Sequence, residues 1–229
     1  MPIFSLNNKN VLFLHVPKCG GSSIEEWARL NGFTTLLQMR GLPVQKALLA
    51  SPQHLTMNQL QSIVNFENID YAFMMVRNPV GRIKSEYCWS NRSKSKNNKR
   101  RAFSFLSRDL QSPCKPEPDV IEAWLSNALL QCRKNPFFMD NHIRPAVDFI
   151  ENKNINIDIF KLEDGFDPFL RKMSEIFDKS FLSVPHTNKS SSFRQGFCSR
   201  DIELNEKSID LIKNFYSADF QHFDYLTPG

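Results

Sequence analysis

Twice in the first 90 residues an unbroken apolar run stops against a short polar loop and a segment of helical periodicity. The first run is "NVLFLHV" (10–16), followed by "PKCGGSS" and then "SSIEEWARLNGF". The second is "YAFMMV" (71–76), followed by "RNPVGRIKSEYCWS". Continuous apolar runs rich in β-branched and aromatic residues are read as strands buried on both faces. Two strand–loop–helix units in succession predict an α/β fold with a central parallel sheet flanked by helices. Ile24, Trp27 and Leu30 recur three apart in the first helix, and Asn31-Gly32 supplies its stop. Pro79 suits the first position of the second helix, with Asn78 as the cap before it.

The rest of the chain fills out this frame. "TMNQLQSIVNF" (56–66) predicts a helix capped by Thr56. "PDVIEAWLSNALLQC" carries Ile121, Trp124, Leu125 and Ala128 on one helical face. "INIDIF" (155–160) alternates and reads as a strand, while "DPFLRKMSEIFD" and "NEKSIDLIKNFYSADFQHF" read as amphipathic helices. Residues 91–118, basic and then spotted with proline, are expected to form a mobile insertion on a loop. At 229 residues the whole chain, 1–229, suits one domain, and 41% apolar residues suffice for a sizeable core.

The five cysteines, Cys19, Cys88, Cys114, Cys132 and Cys198, are odd in number and contain no CxxC pair. Neither zinc-ligand spacing nor a disulfide framework is expected. No basic segment followed by an apolar one opens the chain, and no run approaches the roughly 20 apolar residues of a membrane span. These features predict a cytoplasmic protein without a transmembrane segment. The net charge of +5 suits an anionic ligand or surface without choosing between them.

The loop between the first strand and helix narrows that choice. A helix N-terminus carries unpaired N–H groups and a partial positive charge, and a glycine-rich approach lets backbone come close to an anion. Gly20 and Gly21 supply the freedom, Ser22 and Ser23 hydroxyl donors, and Lys18 a full charge. Taken alone, such a loop equally suits an ordinary glycine turn. An ATP loop would place lysine after the glycines, as GxxxxGK[ST]; here it comes before them. Arg77 ends the second strand and Ser85 lies on the helix that follows, a second anion site where open α/β sheets bind ligands. Arg77 by itself also suits a surface salt bridge. Together the two loops fit a nucleotide with phosphates at two separate places.

"FLHVPKCGGSSI" resembles the 5′-phosphosulfate loop of the Golgi-type carbohydrate sulfotransferases and their bacterial relatives, and "MMVRNPVGRIKSEY" resembles their 3′-phosphate motif. "SPQHLTMNQL", "DNHIRPAVDF", "VPHTNKSS" and "FYSADFQHFDY" are similar to further segments of that family, in the same order, over about residues 10–225. Cys19 stands where relatives often carry threonine, and Ala146 where glutamine is frequent. The resemblance implies a sulfotransferase fold akin to the P-loop nucleotide-binding proteins. It implies 3′-phosphoadenosine-5′-phosphosulfate (PAPS) as donor, adenosine 3′,5′-bisphosphate (PAP) as product, no metal, and a hydroxyl of a carbohydrate, glycolipid or small molecule as acceptor.

By the same resemblance Lys18, Cys19, Gly20, Gly21, Ser22 and Ser23 cradle the 5′ side, Arg77 and Ser85 the 3′-phosphate. Asn188, Lys189 and Ser190, with His186, form a polar loop suited to closing over the nucleotide. Lys18 is the natural cation for the departing phosphate. His54 matches the position of a catalytic histidine and becomes the expected base; from its residue context alone it suits capping or packing at the start of the 56–66 helix. His142 and Arg144 are candidate acceptor contacts. His15 reads as a satisfied core residue and His222 as packing in the terminal helix. The basic run Arg92, Lys94, Lys96, Lys99, Arg100 and Arg101 is either a solvated loop or a rim that steers an anionic acceptor; without interleaved aromatics it does not suit nucleic acid. Two other readings remain: a nucleotide-dependent kinase, which lacks the GK[ST] order, and a non-catalytic module for anions or sulfated glycans.

Overall fold

A computed structural model describes residues 1–38, 49–91, 116–150, 155–186 and 199–228. The basic run at 92–101, the rest of the expected insertion to 115, and Asn188, Lys189 and Ser190 lie outside the described residues.

Five strands form one sheet: β1 (Ile3–Leu6), β2 (Lys9–Leu14), β3 (Thr34–Leu36), β4 (Tyr71–Val76) and β5 (Asp158–Lys161), in the order β3-β1-β2-β4-β5. The expected parallel sheet is present as β2, β4 and β5, with Leu14 level with Met74 and Met74 level with Ile159. β1 and β3 extend it in antiparallel sense, making the sheet mixed. Leu6 pairs with Lys9 across a two-residue turn in which Asn7 and Asn8 have φ of 49° and 60°. That geometry needs left-handed backbone at both positions, which asparagine tolerates better than most residues.

The helices are α1 (Gly21–Leu30), α2 (Met57–Leu60), α3 (Pro79–Ser90), α4 (Pro118–Lys134), α5 (Asp167–Phe177), α6 (Glu206–Phe215) and α7 (Ser217–His222). α2 is a single turn rather than the helix expected over 56–66, although Thr56 does cap it, its N–H bonded to Gln59 Oε1 at 2.9 Å. Leu30, expected on the buried face of α1, faces solvent, whereas Ile24 and Trp27 are fully buried.

Aromatic rings tie the sheet to α1 and α5. Phe13 and Phe73 stack across β2 and β4 with centroids 4.8 Å apart, and Phe73 meets Phe169 of α5 at 4.9 Å. Trp27 of α1 meets Phe169 edge-on at 4.8 Å and donates its indole N–H to Leu182 O. A second cluster joins α3, α4, α6 and α7 through Ile83, Leu125, Leu129, Ile212 and Phe220. Offset and edge-to-face rings of this kind add about 0.5–1.5 kcal/mol per pair beyond the area they bury.

Arg82 of α3 crosses between these layers although it is 1% exposed. Its Nε donates to Pro17 O at 3.1 Å, and one terminal nitrogen to His142 O and Arg144 O at 3.1 and 2.7 Å. The other terminal nitrogen lies 3.8 Å from Asp219 of α7, whose carboxylate accepts the backbone N–H groups of Ala146 and Val147. One guanidinium therefore joins the loop after β2, the 142–147 segment and the terminal helices. Removing it leaves the buried Asp219 carboxylate without its counter-charge and three carbonyls without the guanidinium, a loss of about 3–5 kcal/mol for breaking one partner of a buried ion pair. Arg82→Met is expected to show that loss in a urea titration, and an unchanged midpoint would contradict the clamp.

Candidate active site

The parallel pairing of β2 and β4 brings the two loops expected to hold anions to one end of the sheet, because each follows the carboxyl end of its strand. After β2 the chain runs through Pro17 into Lys18 (φ 68°) and Gly20 (φ 85°), with Cys19 between them not left-handed. Alternation of hand makes successive backbone N–H groups converge on one side, a concavity that binds anions. Gly20 then caps α1, and Ser23 N bonds Gly20 O at 2.9 Å. Gly21 has a different reason to be glycine. A methyl group there would sit 1.8 Å from His15 Nε2.

Arg77 follows β4 and its guanidinium lies along Gly81, where an added methyl would meet Nε at 3.1 Å. Among the described residues neither Arg77 nor Ser85 has a hydrogen-bond or ion-pair partner. Asn78 caps α3 as expected, accepting from Val80 N, and its own N–H is held by Glu163 at 2.9 Å. The loop after β5 closes the third side, with Leu162 and Phe166 against Gly20 and the exposed His186 ring 5.9 Å from Phe166. Cys19 is buried beneath the loop, and burial pushes its thiol up to about 11 against the pull of Arg82 and Arg77. It is therefore a packing residue and not a nucleophile.

α3 presents a polar stripe at helical spacing to these loops. Arg82 holds Pro17, Glu86 holds His142, and the Trp89 ring lies 4.2 Å from Lys18 Nζ. Cation–π contact of this kind keeps the ammonium over the ring without neutralising it.

Three imidazoles line the inner wall, each with a carboxylate on Nδ1. His15 pairs with Glu25 at 2.9 Å, His54 with Asp140 at 2.7 Å, and His142 with Glu86 at 2.7 Å. Their rings meet edge to face, with centroids 5.0 Å apart for His15 and His54 and 5.1 Å for His54 and His142. His54 sits in a 3-10 turn, Pro52–His54, and is buried. Burial pulls its pKa down to about 3, against the raising effect of the Asp140 hydrogen bond. Burial raises Asp140, but hydrogen bonds from His54 and Ser51 outweigh it and leave the group at about 2. Glu86 is likewise raised by burial, yet His142, Lys18 and Ser90 bring it below the usual range. At neutral pH the middle pair is a neutral imidazole on an ionised carboxylate.

His54, Asp140 and His142 also bring ligand-type atoms within 4.8 Å of one another. Both oxygens of Asp140 are already engaged, one by Ser51 N at 2.5 Å and the other by Ser51 Oγ and His54 Nδ1, both at 2.7 Å. Ligands at about 2.0–2.2 Å from one transition metal would have to displace those bonds. The cluster fits hydrogen bonding better than a metal centre.

Asp140 comes from a turn in which Met139, Asp140 and Asn141 have φ of 52°, 58° and 64°. Three consecutive left-handed residues cost about 1–2 kcal/mol each, somewhat less for Asp and Asn. The Arg144 side chain pairs through Nε with Asp148 at 3.2 Å, and its guanidinium lies over Phe137. His222 is exposed, with its ring against Phe223 rather than in the core.

The roles that sequence reasoning missed belong to Glu25, Arg82, Glu86, Trp89, Asp140 and Asp219. Only the Arg82–Glu86–Trp89 spacing of α3 carried a signal. Asp140 and Asp219 depend on contacts between distant segments, and Glu25 on the fold of the loop that returns α1 to the end of β2.

A model of the sulfotransferase family matches residues 2–226. The chain belongs to the sulfotransferase family. This sulfotransferase has no match among curated proteins or solved structures. Membership makes it an enzyme of sulfuryl transfer, and among the described residues no helix is long and apolar enough to cross a membrane.

Two predictions follow from the wall beneath the loop. Gly21→Ala drives a methyl into a buried imidazole and is expected to lower stability by about 1–3 kcal/mol, read as a fall in the thermal midpoint. The second concerns acid. Unfolded His54 takes up its proton near pH 6.5 and the folded residue only near 3, so between those values the unfolded chain holds the extra proton. Stability is then constant above about pH 6.5 and falls below it, by at most about 1.4 kcal/mol per pH unit from this group. His54→Gln should flatten that fall in urea midpoints taken through the same range; an unaltered slope would show that His54 titrates normally.

Proposed function

We propose that this sulfotransferase moves a sulfuryl group from PAPS to a hydroxyl of a carbohydrate-type acceptor. The observation that carries the reading is the shared edge: the glycine loop after β2 and Arg77 after β4 flank one rim, with His54 behind it. Two anion sites on neighbouring strand ends suit a nucleotide phosphorylated at both 5′ and 3′ positions. Among the described residues Arg77 has no anionic partner of its own, which leaves its charge for the 3′-phosphate, with Ser85 of the following helix as the proposed second contact.

In the proposed reaction Lys18, Cys19, Gly20, Gly21, Ser22 and Ser23 bind the 5′ side, largely through backbone N–H groups and the α1 terminus. Lys18 swings between the Trp89 ring and the bridging oxygen, where negative charge grows as the sulfur–oxygen bond breaks. His54 Nε2 accepts the proton of the acceptor hydroxyl as that oxygen approaches sulfur in line. Positioning and electrostatics supply most of the rate, as in phosphoryl transfer. His142 lies next to the base and suits an acceptor contact. Asn188, Lys189 and Ser190 remain proposed nucleotide contacts. Cys19, Cys88 and Cys132 are free and buried, which accords with a cytoplasmic setting.

Calorimetry with PAP in the absence of magnesium, and transfer of labelled sulfate from PAPS onto a panel of glycans, test the reading. Arg77→Ala should weaken PAP by about 10–100-fold, the worth of a charged hydrogen bond, while barely changing affinity for adenosine 5′-monophosphate. His54→Ala should keep PAP affinity and lose about 10²–10⁴-fold in transfer. Lys18→Ala should lose transfer more than binding. No affinity of the wild type for PAP, or full transfer by His54→Ala and Lys18→Ala, would refute the assignment; magnesium-dependent ATP binding in its place would favour a kinase.

A further inference from the structure

His54 is gripped twice by one turn. Within residues 139–141 the Asp140 carboxylate accepts from His54 Nδ1 at 2.7 Å, and the buried Asn141 donates its side-chain amide to His54 O at 2.8 Å. The same carboxylate is fixed by Ser51 N and Ser51 Oγ, at the start of the turn that carries His54. All three residues of 139–141 are left-handed, and none is glycine. Backbone of that kind persists where surrounding structure over-determines it, and it clusters at functional sites.

An ionised carboxylate only accepts hydrogen bonds, so Nδ1 of His54 carries the proton and Nε2 carries the lone pair. The groups facing His54 are His15 of the β2 end, backed by Glu25 of α1, His142, backed by Glu86 of α3, and Asp140 itself. The Met1 amino group lies in the field of Glu25 and Asp140 and is bonded to Pro52 O. Both neighbouring imidazoles have their Nδ1 taken by their own carboxylates. Asp140 is the carboxylate whose bond orients the His54 ring.

We propose that Asp140, held by the left-handed turn 139–141, is the positioning residue of the catalytic base: it fixes His54 in the Nδ1–H tautomer with Nε2 towards the acceptor. The inference rests on the sulfuryl-transfer reading above. The acceptor O–H bond breaks and an N–H bond forms at Nε2. The acceptor oxygen bonds sulfur, the bond from sulfur to the phosphate oxygen breaks, and PAP leaves with that electron pair. The Asp140 carboxylate remains ionised and stabilises the imidazolium until it releases its proton to water.

Asp140→Asn keeps the shape and offers an amide to Nδ1, which favours the opposite tautomer. With PAPS and an acceptor from the glycan panel, kcat is expected to fall by about 10²–10⁴-fold, while KM for PAPS changes by less than about threefold. Asp140→Glu, which retains a carboxylate, should recover part of that loss. Nitrogen-15 NMR of histidine-labelled wild type should show His54 protonated at Nδ1, and the Asn variant should shift it to Nε2. Full kcat in Asp140→Asn, or wild-type His54 protonated at Nε2, overturns the proposal. If the variant does not fold, the wild-type tautomer decides. If no acceptor is sulfated, the functional reading fails on its own and the tautomer still decides the role of the turn.

Discussion

Arg82 is where the chain's separate segments are made to agree. A guanidinium buried at 1% exposure keeps its charge and must find acceptors inside the protein. It finds them in the loop after β2 and in the carbonyls of His142 and Arg144, while its other terminal nitrogen faces the Asp219 carboxylate at ion-pair distance. Each partner belongs to a different part of the site. The position of Lys18 relative to His142 is thus set through the rigid body of α3, which also supplies Glu86 and Trp89. A hydrophobic residue of the same volume could fill the space, but it would not specify which backbone groups meet there. Fold specificity of this sort is one use that buried ionic groups can serve.

The same logic accounts for the three histidine–carboxylate pairs. Glu25 and Glu86 are buried, and Asp140 is part-buried. Each would be costly without a donor. The imidazoles provide those donors through Nδ1, so the pairs stabilise the wall while leaving a second nitrogen on every ring. Of the three, His15 spends that second nitrogen against Gly21, where no side chain fits. His142 is the most exposed, with 14% of its side chain accessible, against 7% for His54. The middle ring is gripped at both ring and backbone by one turn, between neighbours that are themselves held in place.

Local pattern made much of the frame legible. The run "YAFMMV" is β4 to the residue, Asn78 and Pro79 begin α3, and the glycine loop begins α1 where the apolar run of β2 ends. The parallel relation of β2 and β4 followed from buried runs joined by helices. Where the reading fell short, the cause is physical. "SLNNKN" holds a hairpin turn in plain view, but Asn-Asn is a weaker sign than Asn-Gly, and β1 escaped notice. "TMNQLQSIVNF" has helical periodicity over eleven residues, yet α2 runs for four, and Val64 and Phe66 pack on the core from beyond its end. Within the proposed site, His54 was named through the resemblance and Asp140 was not. The two lie 86 positions apart, and nothing in either neighbourhood announces the other.

Strain and rigidity are divided between the two sides of the site. The proposed nucleotide side takes its left-handed backbone at Lys18 and Gly20, just before a helix whose N–H groups would gain from a bound anion. A ligand there repays the unfavourable conformation each time it binds. The proposed base side takes left-handed backbone at three consecutive residues and recovers it within the protein, through bonds that the Asp140 carboxylate accepts from Ser51 and His54 and that Asn141 donates to the His54 carbonyl. In the proposed reaction the first arrangement gains from the nucleotide only while it is bound, whereas the second is held by the protein alone. A base that must meet successive acceptors in the same orientation is better served by strain that stays locked, and a donor site that must let product go by strain that does not.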